Sequence, residues 1–380
     1  MRPLPPLAVT MVGSWPRPKD LLRAQRDHHA GRLGAAELER VADRAVIDVL
    51  RDQEEAGVDL VTDGEQRRDN FYSFVADKLA GVQIMTLAEM LEVVDDKAGF
   101  ERILKTLDVP AYSIKNPTCV GRIERKKPLA VDELRFVRQH TDRAVKVPLP
   151  GPYLLTRAMF VREVTRQVYP TKEDLAEDVV RVLREEIREL CEAGVDFVQL
   201  DEPVLTELVF TQGQTRTFMC AALAATKDPT QELELAVSLI NRVLEGVSGV
   251  RTGLHVCRGN WSRDESTLLR GSYHPLAPWF ARMNVQQLVL EYATPRAGDL
   301  MRFEGKELGL GAVNPRTPEV ETVADARRAM EEALALYPKD QLFVNPDCGF
   351  GTFSLRPMNS AEIARAKLKV LAEAARSLRG

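Results

Sequence analysis

Glu192-Ala-Gly-Val-Asp-Phe-Val-Gln-Leu-Asp-Glu202 is the stretch on which the fold turns. A helical pattern stops at Gly194, a short apolar strand follows, and the strand closes on two acids. Glycine is the expected helix stop, because it tolerates a left-handed backbone. Glu55-Ala-Gly-Val-Asp-Leu-Val-Thr-Asp-Gly-Glu65 repeats the pattern, so the chain is read as helix–loop–strand units. Working outward, eight candidate strands cover residues 9–13, 58–62, 145–149, 195–200, 252–257, 287–291, 308–313 and 342–346. Helical patterns lie between them, at 35–56, 172–193, 231–244, 320–336 and 361–378. Strands alternating with helices predict a parallel sheet. Eight such units in 380 residues predict an α/β chain of one (β/α)8 TIM barrel spanning 1–380. The alternative is a doubly wound open sheet, but no Gly-rich dinucleotide fingerprint follows the first strand.

Residues 66–146 are too many for one βα connection and are read as an insertion after the second strand, elaborating the barrel mouth. Within it a helix is expected at 85–107, an extended piece at 112–124 and a second helix at 131–140. Residues 211–217, polar and glycine-containing, are read as a further mobile loop.

The composition, 44% apolar and 28% charged, is that of a globular protein with a sizeable core. A net charge of -4 offers no basic excess for nucleic acid, and no apolar stretch is long enough for a membrane span. Prolines interrupt any signal-peptide core in Met1-Arg-Pro-Leu-Pro-Pro-Leu7. Five cysteines, odd in number and widely spaced, argue against a disulfide framework, so the expected home is the reducing cytoplasm.

Four metal-ligand candidates lie at the ends of late strands. They are His255 and Cys257 in Leu254-His-Val-Cys-Arg-Gly-Asn260, Glu291 in Leu288-Val-Leu-Glu-Tyr292, and Cys348 in Asn345-Pro-Asp-Cys-Gly-Phe350. Residues i and i+2 of a strand share a face, so His255 and Cys257 aim together. Alone, a His-x-Cys pair reads more naturally as a buried thiol beside an ordinary histidine. At successive strand ends of a barrel, the set of imidazole, two thiolates and a carboxylate suits tetrahedral zinc. Such a zinc lowers the pKa of a substrate thiol.

The ordered motifs, from Val12-Gly-Ser-Trp-Pro-Arg-Pro18 through His255-x-Cys257 and Leu290-Glu291 to Asn345-Pro-Asp-Cys348, resemble the catalytic half of cobalamin-independent methionine synthase. They also resemble the shorter single-barrel members of that zinc-dependent thiol alkyltransferase family. The resemblance covers nearly the whole chain. It implies methylation of homocysteine to methionine, by thiolate attack on a methyl donor with zinc as cofactor. It assigns zinc to His255, Cys257, Glu291 and Cys348. Glu65 and Asp201 are expected to hold the substrate's ammonium and to serve catalysis, and Ser14 to contact its carboxylate end. Glu207 matches an acid that looks toward the pterin in the folate enzyme, and an exposed loop acid is the alternative.

Two positions depart from the folate enzyme's pattern. Ala158 stands where a pterin-stacking tryptophan is expected, and Arg316 where a proton-donating histidine is expected; an arginine cannot donate usefully at pH 7. A second, N-terminal barrel is also absent from this sequence. The donor is therefore expected to differ from polyglutamyl folate, with methyltetrahydrofolate, methylcobalamin and a corrinoid carrier protein as candidates. The alternatives are an epoxyalkane:coenzyme M transferase-like alkylation, with Arg17, Arg258 or Arg316 holding a sulfonate, and a non-catalytic metal-binding barrel. The related porphyrinogen decarboxylase barrel needs no zinc. His28, His29, Cys119, Cys191 and Cys220 are read as structural, and so is His274, with reach into the site from its place after the metal strand as the alternative.

Overall fold

Eight parallel strands form one sheet in a computed structural model that describes residues 2–93, 97–98, 115–210 and 228–380. They are β1 (Ala8–Val9), β2 (Leu60–Val61), β5 (Ala144–Pro150), β6 (Phe197–Asp201), β7 (Arg251–Val256), β8 (Gln287–Glu291), β9 (Glu307–Val313) and β10 (Leu342–Pro346). Each pairs with its neighbour in chain order, β1 pairs with β10, and a parallel bridge from Thr10 to Leu60 closes the ring. The fold is the expected (β/α)8 barrel.

The helices wrap the outside where their apolar faces predict. Ala35–Ala56 stops at Gly57, whose φ of 88° only glycine adopts readily. Lys172–Glu192 starts from a reciprocal Thr171–Asp174 capping box, and Ser360 caps Ala361–Arg379. Inside the barrel, Gly253 leaves room for the Phe197 ring, which a Cβ there would approach to 2.5 Å.

The first two strands are shorter than their apolar runs suggest. The Gln53 side chain takes both backbone groups of Thr62, accepting from its N–H at 3.0 Å and donating to its carbonyl at 2.8 Å. Asp59 accepts the Val9 N–H at 2.9 Å. Side chains thus replace ladder bonds at these ends.

The insertion after β2 contains an antiparallel pair, β3 (Leu79–Thr86) and β4 (Lys115–Arg125). This corrects the expected helix at its start: Met85 and Thr86 belong to β3, and the helix spans Leu87–Val93. From residue 94 that expectation lies almost wholly outside the described residues, as do loop 211–217 and Cys220. The extended piece is β4, whose partner sequence patterning did not identify, and the second helix is Val131–Arg138. Among the described residues no helix is long and apolar enough to cross a membrane.

Candidate active site

His255 lies on the inward face of β7, in register with Asp201 of β6, while Val256 packs outward into the core. Its Nδ1–H donates to the Val289 carbonyl at 3.1 Å, which fixes the ring. That leaves Nε2 buried, with no hydrogen-bond partner among the described atoms. Cys257 follows directly. Cys348 is brought in from β10, whose register shifts between Asn345 and Pro346; such irregularities re-aim side chains at barrel rims. Asp347 then anchors the turn, its Oδ1 accepting the Tyr292 and Ala293 N–H groups at 2.9 Å each. The ligand atoms of His255, Cys257 and Cys348 all lie within 4.8 Å of one another.

The three groups are electrostatically linked. A hydrogen bond from the Cys348 thiol, aided by His255, holds Cys257 well below the usual thiol range in spite of burial. Cys348 is pushed well above it by the adjoining Cys257 and by burial. Burial opposes a charged His255, but contact with Cys257 outweighs it and raises the ring to about 8. A divalent cation favours both thiolates and a neutral imidazole. Two sulfurs and an orphaned imidazole nitrogen fit zinc.

Glu291, the expected fourth ligand, stands at the end of β8 but outside this trio. Its Oε2 accepts from the Arg258 N–H at 3.1 Å and the Asn260 amide at 2.9 Å. Its Oε1 lies 3.0 Å from Arg296 and 3.4 Å from Arg258.

Glu65 sits on the turn after β2 with φ 53°, a left-handed conformation costly for a side chain of this kind. Several bonds hold it there. Its N–H donates to Asp63 Oδ1 at 2.9 Å, and its carbonyl accepts from Arg17 at 2.8 Å. The carboxylate rests over Gly13, where a Cβ would come within 2.4 Å of Oε1. Oε2 is buried without a hydrogen bond. Burial pushes Glu65 up to about 7. Asp201, whose Oδ1 accepts from Gln199 at 2.8 Å, is pushed up to about 6, also by burial. Ser14 is buried against Gly349, which has no Cβ to collide with its hydroxyl.

One recess of about 440 Å³, including its open mouth, is lined by Ser14, Glu65, Asp201, His255, Cys257 and Cys348. Phe71 and Trp261 furnish aromatic walls. Six of the eight expected site residues therefore share one cavity. Glu207 does not line it. That acid is neither exposed nor at the cavity wall; it is buried on the helix Leu205–Phe210, 3.5 Å from Arg157. Ala158 is fully buried, its carbonyl accepting from Asn116 of β4 at 2.7 Å. Arg316 is buried too, donating to Asn260 at 3.1 Å and to Glu265 at 2.5 Å. Arg17 and Arg258 donate to backbone carbonyls, leaving only Arg17 Nε and Arg258 Nη1 as buried donors without a hydrogen bond among the described atoms. His274 bonds Ser272 at the surface, and His28 and His29 bond carbonyls of their own segment.

Sequence reasoning passed over Asp347, Asn260, Trp261 and Phe71. Asp347 and Asn260 stand inside the quoted motifs, but neither has a spacing that marks it as a partner of Glu291 or Cys348.

Residues 7–377 match the family described as cobalamin-independent synthase, catalytic domain. The chain belongs to that family. A methionine synthase of Pyrococcus abyssi (strain GE5 / Orsay) is 30% identical, over 99% of this chain and 94% of that one. One from Sulfurisphaera tokodaii is also 30% identical, over 92% and 87%. The solved B12-independent methionine synthase from Shewanella sp. W3-18-1, in complex with selenomethionine, shares the fold at a TM-score of 0.73, with 23% identity and 98% of both chains covered. As a cobalamin-independent synthase catalytic domain, the chain is a methyltransferase, and the recess just described lies at the strand ends where a barrel keeps its chemistry.

Proposed function

We propose that this chain methylates the thiol of homocysteine to give methionine, with zinc held by His255, Cys257 and Cys348 and with Glu291 in reach at the adjoining strand end. The observation that carries the reading is the convergence of two thiols and an orphaned imidazole nitrogen on the same recess as two buried acids. When bound there, zinc supplies the Lewis acidity that makes a thiol a thiolate at neutral pH.

The chain's own residues supply the rest. Glu65 and Asp201 receive the substrate's ammonium, and their carboxyls, raised by burial, ionise fully once that cation arrives. Ser14 faces the carboxylate end. The Val289 carbonyl keeps the proton on His255 Nδ1, so that Nε2 stays an acceptor. The recess excludes water and aligns the sulfur for in-line attack.

The donor is proposed to differ from polyglutamyl folate, a methylated corrinoid or its carrier protein being the favoured class. Two features support this: Ala158 is fully buried, its carbonyl bonded to Asn116 of β4, and Arg316 is pinned by Asn260 and Glu265 where a proton donor is expected. The coenzyme M reading is disfavoured because Arg17, Arg258 and Arg316 are all engaged within the protein. We further place residues 1–380 in one catalytic unit elaborated at 66–146, working in a reducing cytoplasm that keeps the buried ligand thiols free.

The test is a titration of zinc-loaded protein with homocysteine and, in parallel, coenzyme M, following affinity and proton release. Homocysteine is expected to bind with release of about one proton per site. Preference for coenzyme M, or binding of neither, overturns the reading. Measurable methyl transfer lost in Cys257→Ser excludes a non-catalytic barrel.

A further inference from the structure

Residues 14–17, which follow β1, run between two turns that help build the recess: residues 62–68, which carry Glu65, and residues 348–351, which begin with Cys348. Backbone bonds join the segment to both. The Trp15 N–H donates to the Gly64 carbonyl at 2.9 Å, and the Ser14 carbonyl accepts from the Phe350 N–H at 2.9 Å. The Trp15 and Phe350 rings meet edge to face, their centres 5.7 Å apart. The fit against the second turn is close, since a Cβ at Gly349 or Gly351 would strike the Ser14 hydroxyl or the Trp15 carbonyl. Arg17 then ties the two turns together through one buried guanidinium. Its Nη2 donates to the carbonyls of Glu65 and Arg68 at 2.8 Å each, and its Nη1 donates to the carbonyl of Gly351. Gln66 adds a lighter latch, its amide donating to the Trp15 carbonyl at 3.2 Å.

We propose that Arg17 is a positioning residue that couples the metal end of the recess to its ammonium end, so that occupation at Cys348 stiffens the Glu65 turn and raises affinity for an amino acid there. This rests on the zinc and homocysteine reading above. Glu65 holds a left-handed backbone, a conformation that persists only where its surroundings over-determine it. Its carbonyl is one of the two that Arg17 Nη2 grips, so whatever fixes Arg17 fixes that conformation. Bonds from a guanidinium are charge-assisted and stronger than neutral ones, and the planar fork reaches three carbonyls on two turns at once. With an ion at Cys348, residues 348–351 lose freedom, the Gly351 carbonyl included. Part of the ordering that an amino acid must bring about at Glu65 is then already done, and the second ligand binds more tightly without any new contact. Binding free energies are reciprocal, so the amino acid tightens the metal by the same factor.

The experiment titrates the full chain, with and without zinc, with norvaline, which is homocysteine with a methyl group in place of its thiol. Norvaline keeps the ammonium and the carboxylate but has no sulfur to touch the metal. In the wild type, saturating zinc is expected to tighten norvaline by about five- to tenfold, and norvaline to tighten zinc equally. In Arg17→Met that factor should fall to about one while zinc alone still binds. Arg17→Lys is the milder variant and the sharper one: it keeps the buried charge but cannot bridge both turns, so the coupling should fall there too. Hydrogen exchange gives a second reading. Zinc should slow exchange at residues 64–68 in the wild type but not in either variant, and at residues 348–351 in all three. Absence of coupling in the wild type overturns the proposal, as does coupling that survives in Arg17→Met or Arg17→Lys. Failure of norvaline to bind would overturn the amino-acid reading alone, because the exchange response needs only zinc. Failure of zinc to bind would overturn the zinc reading, and the metal-free proteins would then decide whether Arg17 joins the turns. Arg17→Lys should speed exchange at both turns together, and acceleration at one turn only shows that it does not join them.

Discussion

Glu65 shows how much a single residue settles here. Its left-handed backbone, its seat over Gly13 and its buried carboxyl all oppose a purely structural role, since each costs stability. Arg68, Asp201, Arg17 and Asp63 are the charges that face it; burial, aided by the two acids, outweighs the two arginines and raises it from 4.5 to about 7. The sign follows. The unfolded chain ionises this group first, so the stability Glu65 contributes is complete below its ordinary 4.5 and declines as pH rises to about 7. An ammonium ligand reverses that balance, because it favours the anion. Methionine is the probe to use, having the ammonium but no titrating thiol. Its affinity should rise with pH up to about 7 and level off above. Glu65→Gln should cost about 1.5–3 kcal/mol of binding and flatten the lower limb, while gaining thermal stability over wild type above neutrality. Calorimetric titration across pH checks it; an unchanged profile in the variant removes Glu65 from the ammonium site. Glu65, Asp201 and the His-x-Cys pair were legible because strand ends and two-residue spacing are local features. The arginine partners of Glu291 were not, since Arg258 and Arg296 arrive on two separate loops.

At the scale of elements, Asp201 and Glu202 divide the labour of one strand end. Asp201 turns into the recess, and Glu202 turns out to accept the N–H groups of Tyr153 at 2.7 Å and Leu154 at 2.9 Å, at the start of the helix Pro152–Met159. Gly151 makes this possible: a Cβ there would lie 2.2 Å from the Glu202 carboxylate. Gly151→Ala should therefore destabilise the protein by about 1–3 kcal/mol, the usual effect of overpacking. It should also weaken methionine binding by shifting Asp201. Urea unfolding and the same calorimetry read the two effects; a stable variant with wild-type binding would show that the helix does not position the acid. Such alternation is readable in sequence only as two adjacent acids, because which helix receives the outer one depends on the fold. The β3–β4 pair was harder for a related reason. Leu79–Thr86 and Lys115–Arg125 define each other by pairing across 28 intervening residues.

Across the whole molecule, the ligands tie together strands that are not neighbours. His255 lies in β7 with Cys257 directly after it, and Cys348 follows β10, with β8 and β9 between them in the ring. The sheet itself closes through short strands and a single bridge from Thr10 to Leu60, supported where Arg379 of the last helix donates to the carbonyls of Pro6 and Leu7 at 2.9 and 3.1 Å. A barrel closed so lightly at one seam gains from a second tie on its far side. A cation that binds the folded site and not the unfolded chain adds about 4 kcal/mol when its free concentration is 1,000 times its dissociation constant. Removing metal with a chelator should lower the melting temperature, and adding zinc back should restore it in proportion to the logarithm of its concentration. Cys348→Ser should blunt the response. A melting temperature indifferent to zinc in the wild type would mean that the trio does not bind the ion in the folded state, and the cavity would then have to be read through its acids alone.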